Sequence, residues 1–293
     1  MRSKDARLNP QGLARRDKGL MRCILPPFGM TVVSADLSSG EPTCTAHYSQ
    51  DRNYYDAVFG MVKKEPYYTS DGLLKIGDIY LTTMSVSPLG KKTMLEVFQN
   101  TYNGVPFAQK WVEDEEYFTK NVLKKERALH KILALGLSYS MGPKKLVTQA
   151  RDAGHAIDYP TAKAFYNAYW ELFSRVRAFG KHLERTYKEK GFLVNQFGYR
   201  LVPDAEYKCL NYFIQSSVSG IMHVLCEKFF ALAPWCRFIT VIHDEVIFEC
   251  PTPRLAEAKV LMQRAEESLN ADLGWSVKVR VGWAEGGNWY EAK

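Results

Sequence analysis

Arg237-Phe-Ile-Thr-Val-Ile-His-Asp-Glu-Val-Ile-Phe-Glu249 is the stretch from which the rest of the chain can be read. Two runs rich in β-branched and aromatic residues, Phe238 to Ile242 and Val246 to Phe248, flank the polar triplet His243-Asp244-Glu245. Their propensity predicts a β-hairpin whose tight connection holds a carboxylate pair. Carboxylates between apolar strands are costly to bury unless a partner offsets the cost, and a divalent cation is the usual one. Taken alone, the triplet reads equally well as a solvated turn, a place Asp often takes.

A second acidic position follows a second apolar run, in Thr31-Val-Val-Ser-Ala-Asp-Leu-Ser-Ser-Gly-Glu41. Thr31 to Ala35 predict a short buried strand with Asp36 at its C-terminal end. A lone Asp there is more often a helix N-cap or turn residue than a ligand. Paired with Asp244, it becomes the second carboxylate of a two-metal site. Such sites hold ions about 3.5–4 Å apart and clamp the attacking and leaving oxygens of a phosphoryl transfer.

Between the two lies Arg127-Ala-Leu-His-Lys-Ile-Leu-Ala-Leu-Gly-Leu-Ser-Tyr-Ser-Met-Gly142. Arg127, Lys131, Leu135 and Tyr139 recur every four residues and drift only about 40° per step, so they form one slanting stripe on a helix. Two cations followed by an apolar and an aromatic residue suit a triphosphate at one end and a base or sugar at the other. An ordinary amphipathic helix with exposed basic residues has the same pattern.

Taken in chain order, the three stretches resemble motifs A, B and C of the family A DNA polymerases, the bacterial DNA polymerase I group. Phe197-Gly-Tyr-Arg-Leu-Val-Pro203, Asn211-Tyr-Phe-Ile-Gln215, Gly286-Gly-Asn-Trp289 and Asp78-Ile79 resemble further segments of that family. Each motif is weak alone; the ordered set, spread over nearly the whole chain, is specific. The resemblance implies an α+β right-hand fold with an antiparallel-sheet palm and a mostly helical fingers domain. The palm would take residues 1–41 and 199–293, and the fingers residues 42–198.

The implied activity is template-dependent transfer of a nucleotide from a dNTP to a primer 3′-hydroxyl, with release of pyrophosphate. Asp36 and Asp244 would hold two Mg²⁺ ions, with Mn²⁺ as a substitute, and Glu245 would assist beside them. Arg127 and Lys131 would bind the β- and γ-phosphates, with Lys131 also the proton donor to pyrophosphate. Leu135 would face the sugar and Tyr139 the templating base pair. Glu41 would block a ribose 2′-hydroxyl. Arg200, Lys208, Asn211, Gln215 and His243 would contact primer–template DNA. Two other classes compete: a single-subunit RNA polymerase, against which Glu41 weighs, and a non-catalytic polymerase-derived DNA-binding or assembly subunit, against which Asp36, Asp244 and Glu245 weigh.

Departures from the family pattern are specific. Leu37 replaces an aromatic residue, Pro42-Thr43 an apolar residue and an arginine, Leu135 a Phe or Tyr, Ser140 a glycine and Tyr80 a histidine. Nothing before Asp36 suggests a thumb, and no proofreading exonuclease is recognisable. The expectation is therefore a fragment of a longer protein, or a split gene whose partner chain supplies the rest; a minimal phage-type polymerase is the other reading.

Composition agrees without deciding. The 293 residues are 46% hydrophobic and 24% charged, as in ordinary soluble proteins. The formal charge of +7 is compatible with a polyanionic partner. No apolar run approaches the roughly 18 residues of a membrane span, and the N-terminus lacks a signal-peptide core; the expected location is the cytoplasm, in the nucleoid or in a host cell if phage-encoded. Six scattered cysteines without a CxxC pair argue against a zinc site or a disulfide scaffold.

Local signals complete the sequence reading. Residues 1–30 read as an extended basic arm, in which Arg2 matches loosely the family's minor-groove arginine. Gly77-Asp78 reads as a helix cap, residues 160–190 as one long helix ended by Gly191, and 209–233 and 254–273 as two more. Leu193 to Leu201 read as a hairpin turning at Phe197-Gly198. The acidic run Glu113-Asp-Glu-Glu116 reads as a solvated face or helix start. Ser276 to Trp283 alternate as a final strand.

Overall fold

The computed structural model describes residues 18–59, 66–70 and 72–292; Arg2 and most of the basic arm lie outside them. The chain forms two compact units. One gathers Met1–His47, Val194–Tyr199 and Ile214–Lys293; the other takes Tyr48–Leu193 and Arg200–Phe213.

The first unit is built on four strands: β1 (Met30–Asp36), β2 (Arg237–Ile242), β3 (Glu245–Pro251) and β4 (Ala284–Gly286). Their order is β4-β1-β3-β2, every neighbour antiparallel. Central β1 buries Val32, Val33, Ser34 and Ala35 in succession because both sheet faces are covered. On one face Val32, Ile242 and Ile247 pack with Met21, Trp289 and Ala292. On the other, the Phe248 ring meets Phe229 at 4.9 Å and Phe230 at 5.9 Å, both from the Cys209–Leu232 helix.

The hairpin is tighter than the sequence suggests. Ile242 pairs with Glu245, so the turn is His243-Asp244 alone and Glu245 already belongs to β3. The expected strand from Ser276 to Trp283 is replaced by the three-residue β4, which begins directly after it, and by a single bridge between Leu37 and Val281. Side chains of the Leu255–Leu273 helix hold other backbone groups of this segment. Asn270 Oδ1 accepts from the Val279 amide (2.8 Å), its Nδ2 donates to the Val279 carbonyl (2.9 Å), and Glu266 Oε2 accepts from the Val281 amide (2.9 Å).

The second unit is helical around a core of Leu74, Ile76, Leu81, Met84, Phe107, Trp111 and Phe118. Asp78 caps the Ile79–Val86 helix, accepting from the Tyr80 and Leu81 amides at 2.8 and 3.0 Å. The acidic run begins a helix, with Asp114 accepting from the Tyr117 amide at 3.0 Å. The long helix expected over 160–190 is two, Tyr159–Leu172 and Ser174–Lys190, broken at Phe173. Asn53 Nδ2 donates to the Leu172 carbonyl at 3.1 Å, and Asp51 Oδ2 accepts from the Arg175 amide at 2.9 Å. The same Asp51 caps Arg52–Val58 through the Tyr54 amide, so one buried carboxylate starts two helices.

Candidate active site

Three acidic residues occupy neighbouring backbone positions at one end of the sheet. Asp36 closes β1 directly opposite Glu245, which opens β3, and opposed antiparallel residues have Cα atoms about 4.5–5.5 Å apart. The Leu37 amide donates to the Asp244 carbonyl at 2.8 Å, which ties the turn to the end of β1. Asp36 is exposed, Asp244 half-buried and Glu245 buried. His243 adopts left-handed backbone (φ 58°), a conformation costly for a non-glycine residue, and this keeps the turn at two residues.

Two neighbours outside the sequence-based set complete this corner. Ser34 Oγ donates to Glu245 Oε1 at 2.6 Å in a buried contact and fixes that side chain. Alternation along β1 puts Ser34 and Asp36 on one face, a signal the sequence carried. Gly282 lies beside Asp36, its amide donating to the Asp36 carbonyl at 2.7 Å; no linear pattern announces that contact.

The donor set fits a hard divalent ion of the Mg²⁺ type. Among the described residues no group of three or more His, Cys, Asp or Glu side chains is placed to hold a metal ion. Mg²⁺ needs none, being held by one or two carboxylates and completed by water and substrate phosphates.

Other expected residues of the first unit lie near by in the chain. Glu41, in the first turn of the Gly40–Ser49 helix, accepts from Gln215 Nε2 at 3.4 Å, so the proposed sugar gate and one proposed DNA contact touch. Thr43, where the resemblance looks for an arginine, is only 1% exposed.

The basic stripe belongs to the second unit. The Lys124–Ser138 helix carries it, with Tyr139 as its C-cap. Arg127 is half-buried, and Lys131, Leu135 and Tyr139 are exposed, so the stripe is a surface of the helix. Arg127 is held in place: Asp78 Oδ2 accepts from its Nε at 2.8 Å and lies 2.6 Å from its Nη2. The Tyr80 ring centre lies 5.0 Å from the Arg127 guanidinium carbon and 5.9 Å from Lys131 Nζ, so one aromatic ring serves both cations. Burial, then the Asp78 charge, raises the Tyr80 phenol pKa, with Arg127 opposing.

Of the expected DNA contacts, Arg200, Lys208 and Asn211 fall in the second unit, and Gln215 and His243 in the first. Arg200 stacks over Phe192 at 4.2 Å, and Lys208 pairs with Asp204 at 2.6 Å. Asn211 and Gln215 share the Cys209–Leu232 helix at the expected four-residue spacing.

On another side of the stripe helix, His130 is fully buried, its Nδ1–H donating to the Glu126 carbonyl at 2.7 Å and its ring edge-on to Phe165 at 5.7 Å. Burial pushes its pKa down to about 4 from the ordinary 6.5. The unfolded chain therefore takes up a proton at pH values where the folded chain does not. Stability from this residue is complete above pH 6.5 and erodes as pH falls toward about 4, by roughly 3 kcal/mol in all. Denaturant unfolding between pH 7 and 4.5 is expected to show this slope, and His130→Leu to flatten it. An unchanged slope would contradict the assignment.

The profile of DNA polymerase family A matches residues 89–291, which takes in the stripe helix and the hairpin. The thermostable DNA polymerase I of Thermus filiformis is 32% identical over 187 residues, covering 58% of this chain and 21% of the relative. DNA polymerase I of Bacillus subtilis is 25% identical over 279 residues, 89% of this chain and 26% of the relative. This chain thus spans about a quarter or less of those relatives' length. Among solved structures, the POL domain of Pol1 from M. smegmatis, in complex with DNA primer-template and dNTP, superposes with a TM-score of 0.69. That alignment has 19% sequence identity and covers 97% of this chain and 45% of the other; it establishes the fold.

Proposed function

Because the chain belongs to DNA polymerase family A, we propose that it is a DNA-directed DNA polymerase, extending a primer 3′-hydroxyl from dNTPs on a DNA template. The observation that carries this reading is the register that sets Asp36 against Glu245, with the Leu37 amide bonded to the Asp244 carbonyl. The unit holding these acids is read as the palm, and the helical unit bearing Arg127, Lys131, Leu135 and Tyr139 as the fingers.

In the proposed reaction the primer 3′-oxygen attacks the α-phosphorus, a new P–O bond forms, and the α–β bond breaks to release pyrophosphate. Asp36 and Asp244 would hold two Mg²⁺ ions. When bound, these ions lower the pKa of the attacking hydroxyl and neutralise phosphate charge. Glu245, fixed by Ser34, keeps the corner acidic without leaving the sheet. Arg127, preset by Asp78, and Lys131 would bind the β- and γ-phosphates, with Lys131 giving its proton to the leaving pyrophosphate. Glu41 would exclude a 2′-hydroxyl, Leu135 would face the sugar, and Tyr139 the templating pair. Arg200, Lys208, Asn211, Gln215 and His243 would touch the primer–template. A cytoplasmic site of action suits this reading; among the described residues, no helix is long and apolar enough to cross a membrane.

Primer extension with dNTPs and rNTPs side by side, with and without Mg²⁺, tests the proposal. Mg²⁺-dependent extension with dNTPs is expected. Preferential use of rNTPs on an unprimed template would mark an RNA polymerase instead. Extension no greater than that of Asp244→Ala, with equal DNA binding, would mark a non-catalytic subunit.

A further inference from the structure

We propose that Gly282 is a positioning residue for the Asp36 carboxylate: its missing side chain is the space in which that carboxylate sits. The inference rests on the polymerase reading and deepens it.

The chain reaches Gly282 alongside the end of β1 in a short antiparallel ladder. The Gly282 amide donates to the Asp36 carbonyl at 2.7 Å, the Ser38 amide donates to the Arg280 carbonyl at 2.9 Å, and Leu37 bridges to Val281 between them. A Cβ built on Gly282 would overlap Asp36 Oδ1, and would lie 3.3 Å from Cγ and 3.7 Å from the backbone oxygen. Gly282 is not among the glycines with positive φ, so backbone conformation does not demand a glycine here. The demand comes from the room its missing Cβ leaves.

The backbone on both sides is pinned. The 279–282 segment is pinned to the Leu255–Leu273 helix by Asn270, at both the amide and the carbonyl of Val279, and by Glu266 at the Val281 amide. Asp36 is paired across the sheet with Glu245, which Ser34 holds from the same strand. The side-chain torsion of Asp36 is the softest coordinate left. A methyl on residue 282 would therefore displace the carboxylate from its present position rather than shift the strand. Displacing a reacting or ligating group by about an ångström costs on the order of 10²-fold in rate.

The test compares wild type, Gly282→Ala, Asp36→Ala and Val281→Ala. Three quantities are read for each: primer–template affinity, Mn²⁺ binding from the electron paramagnetic resonance signal of free Mn²⁺, and single-turnover extension. Mn²⁺ binding is measured with primer–template and a non-extendable nucleotide present. For Gly282→Ala we expect DNA affinity close to wild type, Mn²⁺ affinity weakened by about 10- to 100-fold, and extension slowed by about 10²-fold. Val281→Ala, a local disturbance of the same segment that adds nothing beside Asp36, should lose thermal stability and keep its Mn²⁺ affinity. Wild-type Mn²⁺ affinity and extension in Gly282→Ala would overturn the proposal. So would a loss of Mn²⁺ binding in Val281→Ala that matches Gly282→Ala at equal loss of stability. Wild-type extension no faster than Asp36→Ala would instead overturn the polymerase reading on which the proposal rests.

Discussion

Asp244→Ala should abolish primer extension while duplex affinity stays within a few fold of wild type, and Asp36→Ala should do the same. Both residues close the polar end of a sheet whose stability lies elsewhere, in Val32, Ile242, Ile247 and Trp289 on one face and Phe248 with Phe229 on the other. Asp36 is exposed and Asp244 half-buried, so alanine leaves no large cavity at either position. The chemistry has no substitute for them. Clamping the attacking and leaving oxygens is worth several kcal/mol, and each 1.36 kcal/mol is about tenfold in rate. Activity below detection with binding preserved is the expected pair of results. Parallel loss of binding and activity would indicate a structural role.

Lys131→Ala should lower turnover by several orders of magnitude with DNA binding little changed. Two effects are lost together. A charge-assisted bond to a phosphate is worth about 1.5–3 kcal/mol, and general-acid help to the leaving group about 10²–10⁴-fold. Lys131→Arg separates them, since a guanidinium keeps the charge but does not give up its proton near neutral pH. It should restore nucleotide KM toward wild type and leave turnover low. Recovery of turnover in Lys131→Arg would show that charge alone matters at this position. Exposure of Lys131, and its place 5.9 Å from the Tyr80 ring, make both substitutions tolerable to the fold.

The parts of the fold that sequence reasoning reached are those set by local chemistry. The apolar runs around His243-Asp244 became a hairpin, Asp78 capped the helix it precedes, and Gly191 ended its helix in left-handed backbone at φ 72°. The four-residue recurrence from Arg127 gave an exposed stripe because a helix surface follows from spacing alone.

The parts it missed were set by distant partners. Nothing local marks a break at Phe173: there is no proline or glycine, and the apolar period runs on. Asp51 and Asn53, far earlier in the chain, claim the backbone groups that would have joined the two helices. The alternating valines of 276–283 have strand composition, and Val277 and Val279 are buried, yet pairing with β1 is limited to the Arg280 carbonyl and the Gly282 amide, while Asn270 and Glu266 hold the Val279 and Val281 amides. One missed turn was legible, in Asn103-Gly104. Both residues have positive φ, as a two-residue hairpin between Thr101–Tyr102 and Val105–Pro106 requires.

The candidate site divides along the same line. Its acids and cations were visible as residue types at telling positions. The groups that hold them still were not: Ser34 on Glu245, Asp78 on Arg127 and Gly282 beside Asp36 are contacts between segments. Chemistry is written in residue identity, whereas orientation depends on the fold.

The most direct measurement is anomalous diffraction at the manganese edge, from crystals grown with a dideoxy-terminated primer–template, the matching dNTP and Mn²⁺. Anomalous peaks ligated by the carboxylates of both Asp36 and Asp244 are the predicted result. Nucleotide bound opposite its templating base, with manganese held by other side chains or with no peak at these two, would contradict the account.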